Sequence, residues 1–228
     1  RPLLVIANDP RVEIRLQDYR DLRGETFDAI SSIGMSEHVG SANLETYFRI
    51  LRAALRPQGR LLNHAISSIG GSRLRTNTFM YRYVFPDGEL DCVSNIQLGM
   101  ERAGFEIHDV EGLRPHYALT LRHWVERLEA RREEALEEVG EVTYRIWRLY
   151  MAACALEFEA GGTGIYQIVA SKRDRGTWPV PLTRRDLYRD DWSWTVPSPR
   201  PAGEMRSDLS AGAFAALLAA AMAVSMAY

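Results

Sequence analysis

Ser32-Ile33-Gly34-Met35-Ser36-Glu37-His38-Val39-Gly40 sets a carboxylate beside an imidazole directly after an apolar run, and Asn63-His64-Ala65-Ile66 brings a second imidazole to the end of another. Both segments read as the carboxyl ends of neighbouring parallel strands, the edge at which open α/β sheets bind ligands. Glu37 and His64 are therefore expected to face one crevice. An acid and an imidazole placed together suit the handling of an anion or of a proton. Helix capping or a solvated loop would explain either segment alone, but explains their convergence less well.

The elements that would position these residues follow from periodicity. Val12-Glu13-Ile14-Arg15-Leu16 alternates apolar and polar residues as a half-buried strand does, and Phe27 to Ile33 is a mostly apolar run expected to be buried on both faces. Leu44, Tyr47, Phe48, Leu51 and Leu55 fall at helical steps, with Pro57 and Gly59 as stop signals. Arg60 to Ile66 reads as the next strand, followed by a Ser/Gly stretch through Gly71. Strand, helix, strand in that order indicates a parallel α/β sheet. Beyond the aromatic loop 79–86, the pattern predicts a helix over 90–103 ended by Gly104, then a strand over 105–110. Two amphipathic helices, over 119–138 and 144–158, read as an insertion covering the sheet, and Gly164 to Ala170 is the last strand. The Arg/Glu run from Arg127 to Glu138 reads as a solvated face with i,i+4 pairs.

At 228 residues, with 46% hydrophobic and 25% charged residues, the chain has the make-up of an ordinary globular protein with room for one sizeable domain. A net charge of −2, with arginines scattered among glutamates, gives no basic field and no support for a nucleic-acid partner. The two cysteines, Cys92 and Cys154, lack any metal-ligand spacing, so no metal site is expected and a reducing cytoplasm is the default. Pro2 to Ala7 is a short apolar run that reads as a strand rather than a leader. The domain is expected to span 1–175, with a linker or surface strap over 176–208. Leu209 to Tyr228 carries no charge and is rich in alanine. That tail admits two readings, a marginal membrane anchor or surface helix and a disordered tail.

Several segments in order carry a resemblance. Leu16-Gln17-Asp18-Tyr19-Arg20-Asp21, Phe27 to Gly40, Tyr83-Val84-Phe85-Pro86-Asp87-Gly88-Glu89-Leu90 and His116-Tyr117-Ala118-Leu119-Thr120-Leu121 resemble successive signatures of the cyclopropane fatty acid synthase family, which includes the mycolic acid cyclopropane synthases. The similarity runs from about Val12 to Ala170. It implies a class I methyltransferase fold, a Rossmann-like and mostly parallel sheet with helices on both faces, here the C-terminal part with a helical insertion over the site. It also implies S-adenosylmethionine as cofactor, and one-carbon transfer to the cis double bond of an unsaturated phospholipid or carrier-bound acyl chain. The product would be a cyclopropane or methyl-branched lipid, made in the cytoplasm at the inner membrane face, with a bound bicarbonate as base. By the resemblance, Glu37, His64 and Tyr117, with the backbone at Ile66, would hold that anion. Asp18 and Tyr19 would flank the adenosine, and Ile33 and Gly34 would line the methionine side. Tyr83, Phe85 and Cys154 are candidates for the acyl pocket.

Two departures bear on activity. The family's first strands, with a glycine-rich cofactor loop, an acidic ribose ligand and an anion-binding cysteine, have no counterpart before Tyr19, so this chain alone is expected to bind S-adenosylmethionine weakly or not at all. Ser36 stands where many members have phenylalanine. Two other readings stay open: a non-catalytic lipid- or partner-binding remnant, and a small-molecule methyltransferase on the same scaffold.

Overall fold

The computed structural model describes residues 13, 15–69, 78–86, 88–174, 176 and 179–184. Leu16–Pro179 form one compact unit. A second grouping takes in Arg1–Arg15 and Val180–Tyr228, and within it Glu13 and Arg15 hold each other in a two-pronged ion pair at 2.7 Å. The apolar run over 2–7, the Ser/Gly stretch at 70–71, most of the linker and the whole alanine-rich tail lie outside the described residues.

Chain order is a 3-10 turn (Tyr19–Asp21), β1 (Phe27–Ile33), α1 (Ser36–Val39), a second 3-10 turn (Ser41–Asn43), α2 (Leu44–Ala54), β2 (Leu55–Ser68), α3 (Phe79–Tyr83), α4 (Val93–Arg102), β3 (Phe105–Gly112), α5 (Arg114–Ala130), α6 (Arg132–Ala160) and β4 (Thr163–Lys172). The strands make one sheet in the order β1-β2-β4-β3. β1 and β2 are parallel, as expected, whereas β4 runs antiparallel to both of its neighbours. Connectivity explains the difference. A single helix, α2, returns the chain to the starting end of the sheet and gives a parallel partner. Two helices, α5 and α6, return it to the end it left, so β4 must run back along β3.

Each face of the sheet buries its own core. Leu61 and Ala65 of β2 pack with Phe48, Leu51, Met100 and Phe105 under α2 and α4. Ile165 packs with Leu121, Leu128, Met151, Ala155 and Phe158 under α5 and α6, and Ile66, Phe85 and Tyr117 lie against that second cluster. The period-two burial along β2, with Leu61, Asn63, Ala65 and Ser67 buried in turn, sends alternate side chains to opposite cores.

Four expectations are corrected. The strand over 12–16 is absent where it is described: Glu13, Arg15 and Leu16 belong to no strand, and Leu16 is fully exposed, because alternation makes a strand only where a sheet edge receives it. β1 is not buried on both faces. Only Ser32 is buried and Ile30 half-buried, since β1 is the edge of the described sheet with β2 as its one partner. The aromatic loop holds a helical turn, α3, capped by Thr78, whose Oγ1 accepts from the Tyr81 amide at 3.4 Å. The covering helices divide elsewhere than the periodicity indicated: α5 begins and ends earlier than 119–138, α6 starts well before 144, the two abut at Arg131, and α6 is broken at Gly140, whose φ of 75° and ψ of 166° only glycine adopts readily.

Candidate active site

β1 ends at Ile33, and Gly34 turns the chain at φ 62° while its amide donates to the His64 carbonyl at 2.9 Å. This bond fixes the exit of β1 against β2, where Ile33 is already paired with His64. The single-turn helix α1 then presents Glu37. Its Oε1 accepts from the Ile66 amide at 2.8 Å, its Oε2 accepts weakly from Ser36 Oγ at 3.4 Å, and its own carbonyl accepts from the Glu89 amide at 3.0 Å. Burial pushes the Glu37 carboxyl above the ordinary carboxylate value, with the Ile66 amide opposing it in part.

His64 stands half-buried on β2, and burial lowers its imidazole, favouring the neutral ring. Its Nδ1 is buried and has no hydrogen-bond partner among the described residues. Across from it, 6.5 Å between ring centres, lies Tyr117 of α5. Tyr117 is wedged edge-on against Phe158 at 5.1 Å and Trp124 at 6.1 Å. Burial raises its phenol first, and the negative charges of Glu37 and then Cys154 raise it further. Glu37, His64, Ile66 and Tyr117 are thus brought together. The Ile66 amide, however, is already taken by Glu37, so Ile66 orients that carboxyl and would act on a ligand through it.

Two residues of α6 stand close to Tyr117. Tyr150 of α6, which sequence reasoning missed, packs edge-on to Phe85 at 5.7 Å and to Trp147 at 5.3 Å. Its phenol is pushed well up, by burial first and then by Cys154, Tyr117 and Glu37. The signal for it was its place one helical turn before Cys154; periodicity named the helix but not the face that turned inward. Cys154 is raised to about 11 by burial, a hydrogen bond with Tyr150 only partly offsetting this, so its thiol is protonated at neutral pH. Phe85 touches Tyr150 on one side and His38 on the other, at 5.7 Å. Tyr83 is not gathered in: it is 58% exposed and stacks on Phe79 at 5.5 Å.

The residues expected at the cofactor lie on the β1 side. Asp18 caps its own 3-10 turn, its carboxylate accepting from the Arg20 amide and guanidinium and held near pKa 2. Tyr19 packs edge-on to Tyr47 at 4.9 Å, and the Tyr47 hydroxyl shares a 2.7 Å hydrogen bond with Ser32, two residues before Gly34. Tyr19 is thereby tied to the strand end that carries Ile33, 67% exposed, and the bare backbone of Gly34. His108 bonds the buried Ser171 hydroxyl at 2.7 Å, and exposed His123 meets Glu126 at 3.2 Å. The Arg/Glu run pairs between helices: Arg148 binds Glu129, and Arg122 grips Glu159 with both Nε and Nη2. Among the described residues no three His, Cys, Asp or Glu side chains come together as a metal site, and no helix is long and apolar enough to cross a membrane.

The donor set suits a small anion. A carboxyl whose burial disfavours its charged form, a neutral imidazole with an unsatisfied buried nitrogen and a protonated phenol do little to repel one. A positive-φ glycine at a strand exit, with an exposed apolar neighbour, likewise suits close approach of an extended cofactor to the backbone.

Mixed sheet, helices on both faces and a crevice at the carboxyl edge of the parallel pair define a class I S-adenosylmethionine-dependent methyltransferase fold. Solved structures agree. The chain superposes on mycolic acid cyclopropane synthase CmaA1, solved with SAH and CTAB, with a TM-score of 0.63 at 27% identity, covering 69% of this chain and 59% of that one. For the cyclopropane synthase MmaA2 of Mycobacterium tuberculosis the TM-score is 0.60 at 29% identity, over 65% and 56% of the two chains. Residues 5–168 match the model of the mycolic acid cyclopropane synthetase family, and the chain belongs to that family. It is 45% identical over 185 residues to a probable fatty acid methyltransferase of Pseudomonas putida, covering 78% of this chain and 47% of that protein. It is 37% identical over 161 residues to the cyclopropane-fatty-acyl-phospholipid synthase of Escherichia coli K12, covering 71% and 41%. The chain spans about half the length of the curated relatives it matches or less.

Proposed function

We propose that this chain forms the catalytic-pocket part of an enzyme that transfers a one-carbon unit from S-adenosylmethionine to the cis double bond of an unsaturated fatty-acyl chain. The observation that carries the reading is the meeting of Glu37, His64 and Tyr117 at one carboxyl edge, backed by the aromatic wall of Phe85, Tyr150 and Phe158. When bound, S-adenosylmethionine supplies an electrophilic methyl group. An alkene is a weak nucleophile, so the wall's task is to hold the acyl chain in line and exclude water. Positive charge developing on the acyl carbons is stabilised by the π faces of that wall.

Bicarbonate, the small anion that Glu37, His64 and Tyr117 would hold, supplies a base for the departing proton. The Tyr117 phenol would donate to it, neutral His64 would offer its unsatisfied Nδ1, and Glu37, whose charged form burial disfavours, would border it. Asp18 and Tyr19 on one side, and Ile33 and Gly34 on the other, are the proposed cofactor contacts. Cys154 lines the acyl pocket as an inert thiol. Residues 1–175 act as the methyltransferase unit, followed by a strap over 176–208 and the apolar tail over 209–228. Because the acyl substrate resides in lipid, the working location is the cytoplasm, at the inner membrane face.

The test is to express the protein from its complete gene and incubate it with vesicles of cis-unsaturated phospholipid and S-adenosylmethionine bearing a deuterated methyl. Mass spectrometry then follows the released fatty acids. Label is expected in the acyl chain, with one deuterium lost on ring closure, and resistance to hydrogenation separates a ring from a methylene branch. Label appearing only in a water-soluble acceptor would make this a small-molecule methyltransferase. No transfer by the folded, cofactor-bound protein would favour the non-catalytic reading.

A further inference from the structure

The segment between α3 and α4 reaches the site from behind. Gly88 closes a turn by donating its amide to the Phe85 carbonyl at 3.2 Å, and Glu89, Leu90 and Asp91 then lead into α4. The far end of this strap is fixed to the core. The Asp91 carbonyl accepts from the Ser68 amide, at the end of β2, at 3.0 Å, and its carboxylate accepts at 2.8 Å from both the Cys92 amide and the Asn95 side chain at the start of α4. The near end grips the turn that carries Glu37. The Glu89 amide donates to the Glu37 carbonyl at 3.0 Å, and the Glu89 carboxylate accepts from the Ser41 amide, also at 3.0 Å. One residue thus holds α1 at its second position and again just past its end.

A single helical turn needs such a grip. α1 has four residues and no side-chain cap, and a helix that short is not held by its own hydrogen bonds. Gly40 follows it at φ 78°, and a β carbon there would come within 3.3 Å of Glu89 Oε2, so the approach of the carboxylate to the Ser41 amide needs a bare backbone at that point. Ser36, Glu37, Ser41, Glu89 and Asp91 share a cavity of about 10 Å³. That admits a single water at most, too little for the Glu37 carboxyl to swing into. We propose that Glu89 is a positioning residue for Glu37, holding its turn so that the carboxyl meets the Ile66 amide and faces His64 and Tyr117. Glu89 acts only through the turn. Its effect on turnover rests on the proposed reading of Glu37 as an anion ligand, whereas the grip itself does not.

Grip and turnover are tested separately, on protein expressed from its complete gene with isotope-labelled isoleucine, in which hydrogen exchange of the Ile66 amide reports the bond to Glu37. Glu89→Ala should speed that exchange about tenfold by freeing the turn, while Ile165 and Ile168 of β4 and Ile96 of α4 keep their rates. Glu89→Gln retains an acceptor for the Ser41 amide and should restore the parent rate. In the acyl-labelling assay, kcat of Glu89→Ala should fall roughly ten- to a hundredfold with both KM values held, because geometry and not binding is lost. Glu89→Gln should recover it. An Ile66 rate unmoved by Glu89→Ala, or one that rises in step with the other isoleucines, overturns the proposal whatever the activity. Selective quickening of Ile66 with kcat intact overturns the role in turnover if Glu37→Gln abolishes activity. If Glu37→Gln leaves turnover intact as well, the reading of Glu37 fails and the grip of Glu89 stands.

Discussion

Glu37 and Ile66 are joined by a 2.8 Å hydrogen bond from a backbone amide to a half-buried carboxyl, linking the helix after β1 to the end portion of β2. The bond holds in place a group whose burial disfavours its ionised form, and the two effects oppose each other in its titration.

Stability should therefore depend on pH through this residue. The folded-state value of Glu37 is raised above 4.5, so its contribution to stability is fully present below 4.5 and is lost as pH rises through the elevated value. Glu37→Gln keeps an acceptor for the Ile66 amide and removes the ionisation. The variant is expected to melt higher than the parent at neutral and alkaline pH, with a smaller difference in acid, in scanning calorimetry across pH. A parent and variant with parallel pH profiles would contradict this.

His64 has the opposite sign. Its folded value is lowered below 6.5, so its contribution is present above 6.5 and is lost as pH falls through the depressed value. Replacing His64 with Gln should flatten the acid limb of the same melting profile and leave the alkaline limb unchanged.

Tyr117→Phe retains the ring that packs on Phe158 and Trp124 and deletes only the phenol. Melting temperature should hold. If the phenol helps to place the base, turnover in the acyl-labelling assay should fall by about a hundredfold or more. Equal losses of turnover and folding would reduce Tyr117 to a packing residue.

Tyr47→Phe removes one end of the buried 2.7 Å bond to Ser32, whose hydroxyl is then left without its partner. A loss of about 1–3 kcal/mol is expected in urea unfolding. Pairing it with Ser32→Ala should recover part of that loss, because both polar ends are then gone. The parent Tyr47 phenol, raised to about 12 by burial, should also stay silent in ultraviolet titration until strongly alkaline pH.

Arg114 donates through Nη1 to the carbonyls of Phe158 at 2.5 Å and Glu159 at 3.1 Å, satisfying the last turn of α6 from the first residue of α5. Arg114→Ala should cost about 1–3 kcal/mol. Faster amide exchange should be confined to the end of α6.

The convergence of Glu37 and His64 was legible because both follow apolar runs with turn residues, and neighbouring parallel strands share an edge by construction. Tyr117 came from the resemblance, since nothing in the spacing of His116-Tyr117 says which way the helix faces. The Glu37 bond to Ile66 was not legible: it joins residues distant in sequence, through a backbone group that all residues share. Tyr150 escaped for a related reason, as one aromatic among several on a helix with two apolar faces. The exposure of β1 and the reversed direction of β4 are set by which strand takes which neighbour, and no local pattern in Phe27–Ile33 or Thr163–Lys172 encodes that choice.

The last of the described strands, β4, sits inside the sheet, between β2 and β3. During synthesis those two strands must wait, side by side but unjoined, until the ribosome has released Thr163–Lys172 to bridge them. Closure of this sheet therefore follows the synthesis of Thr163–Lys172, and a nascent chain halted before that point would leave two unsatisfied strand edges for chaperones to guard.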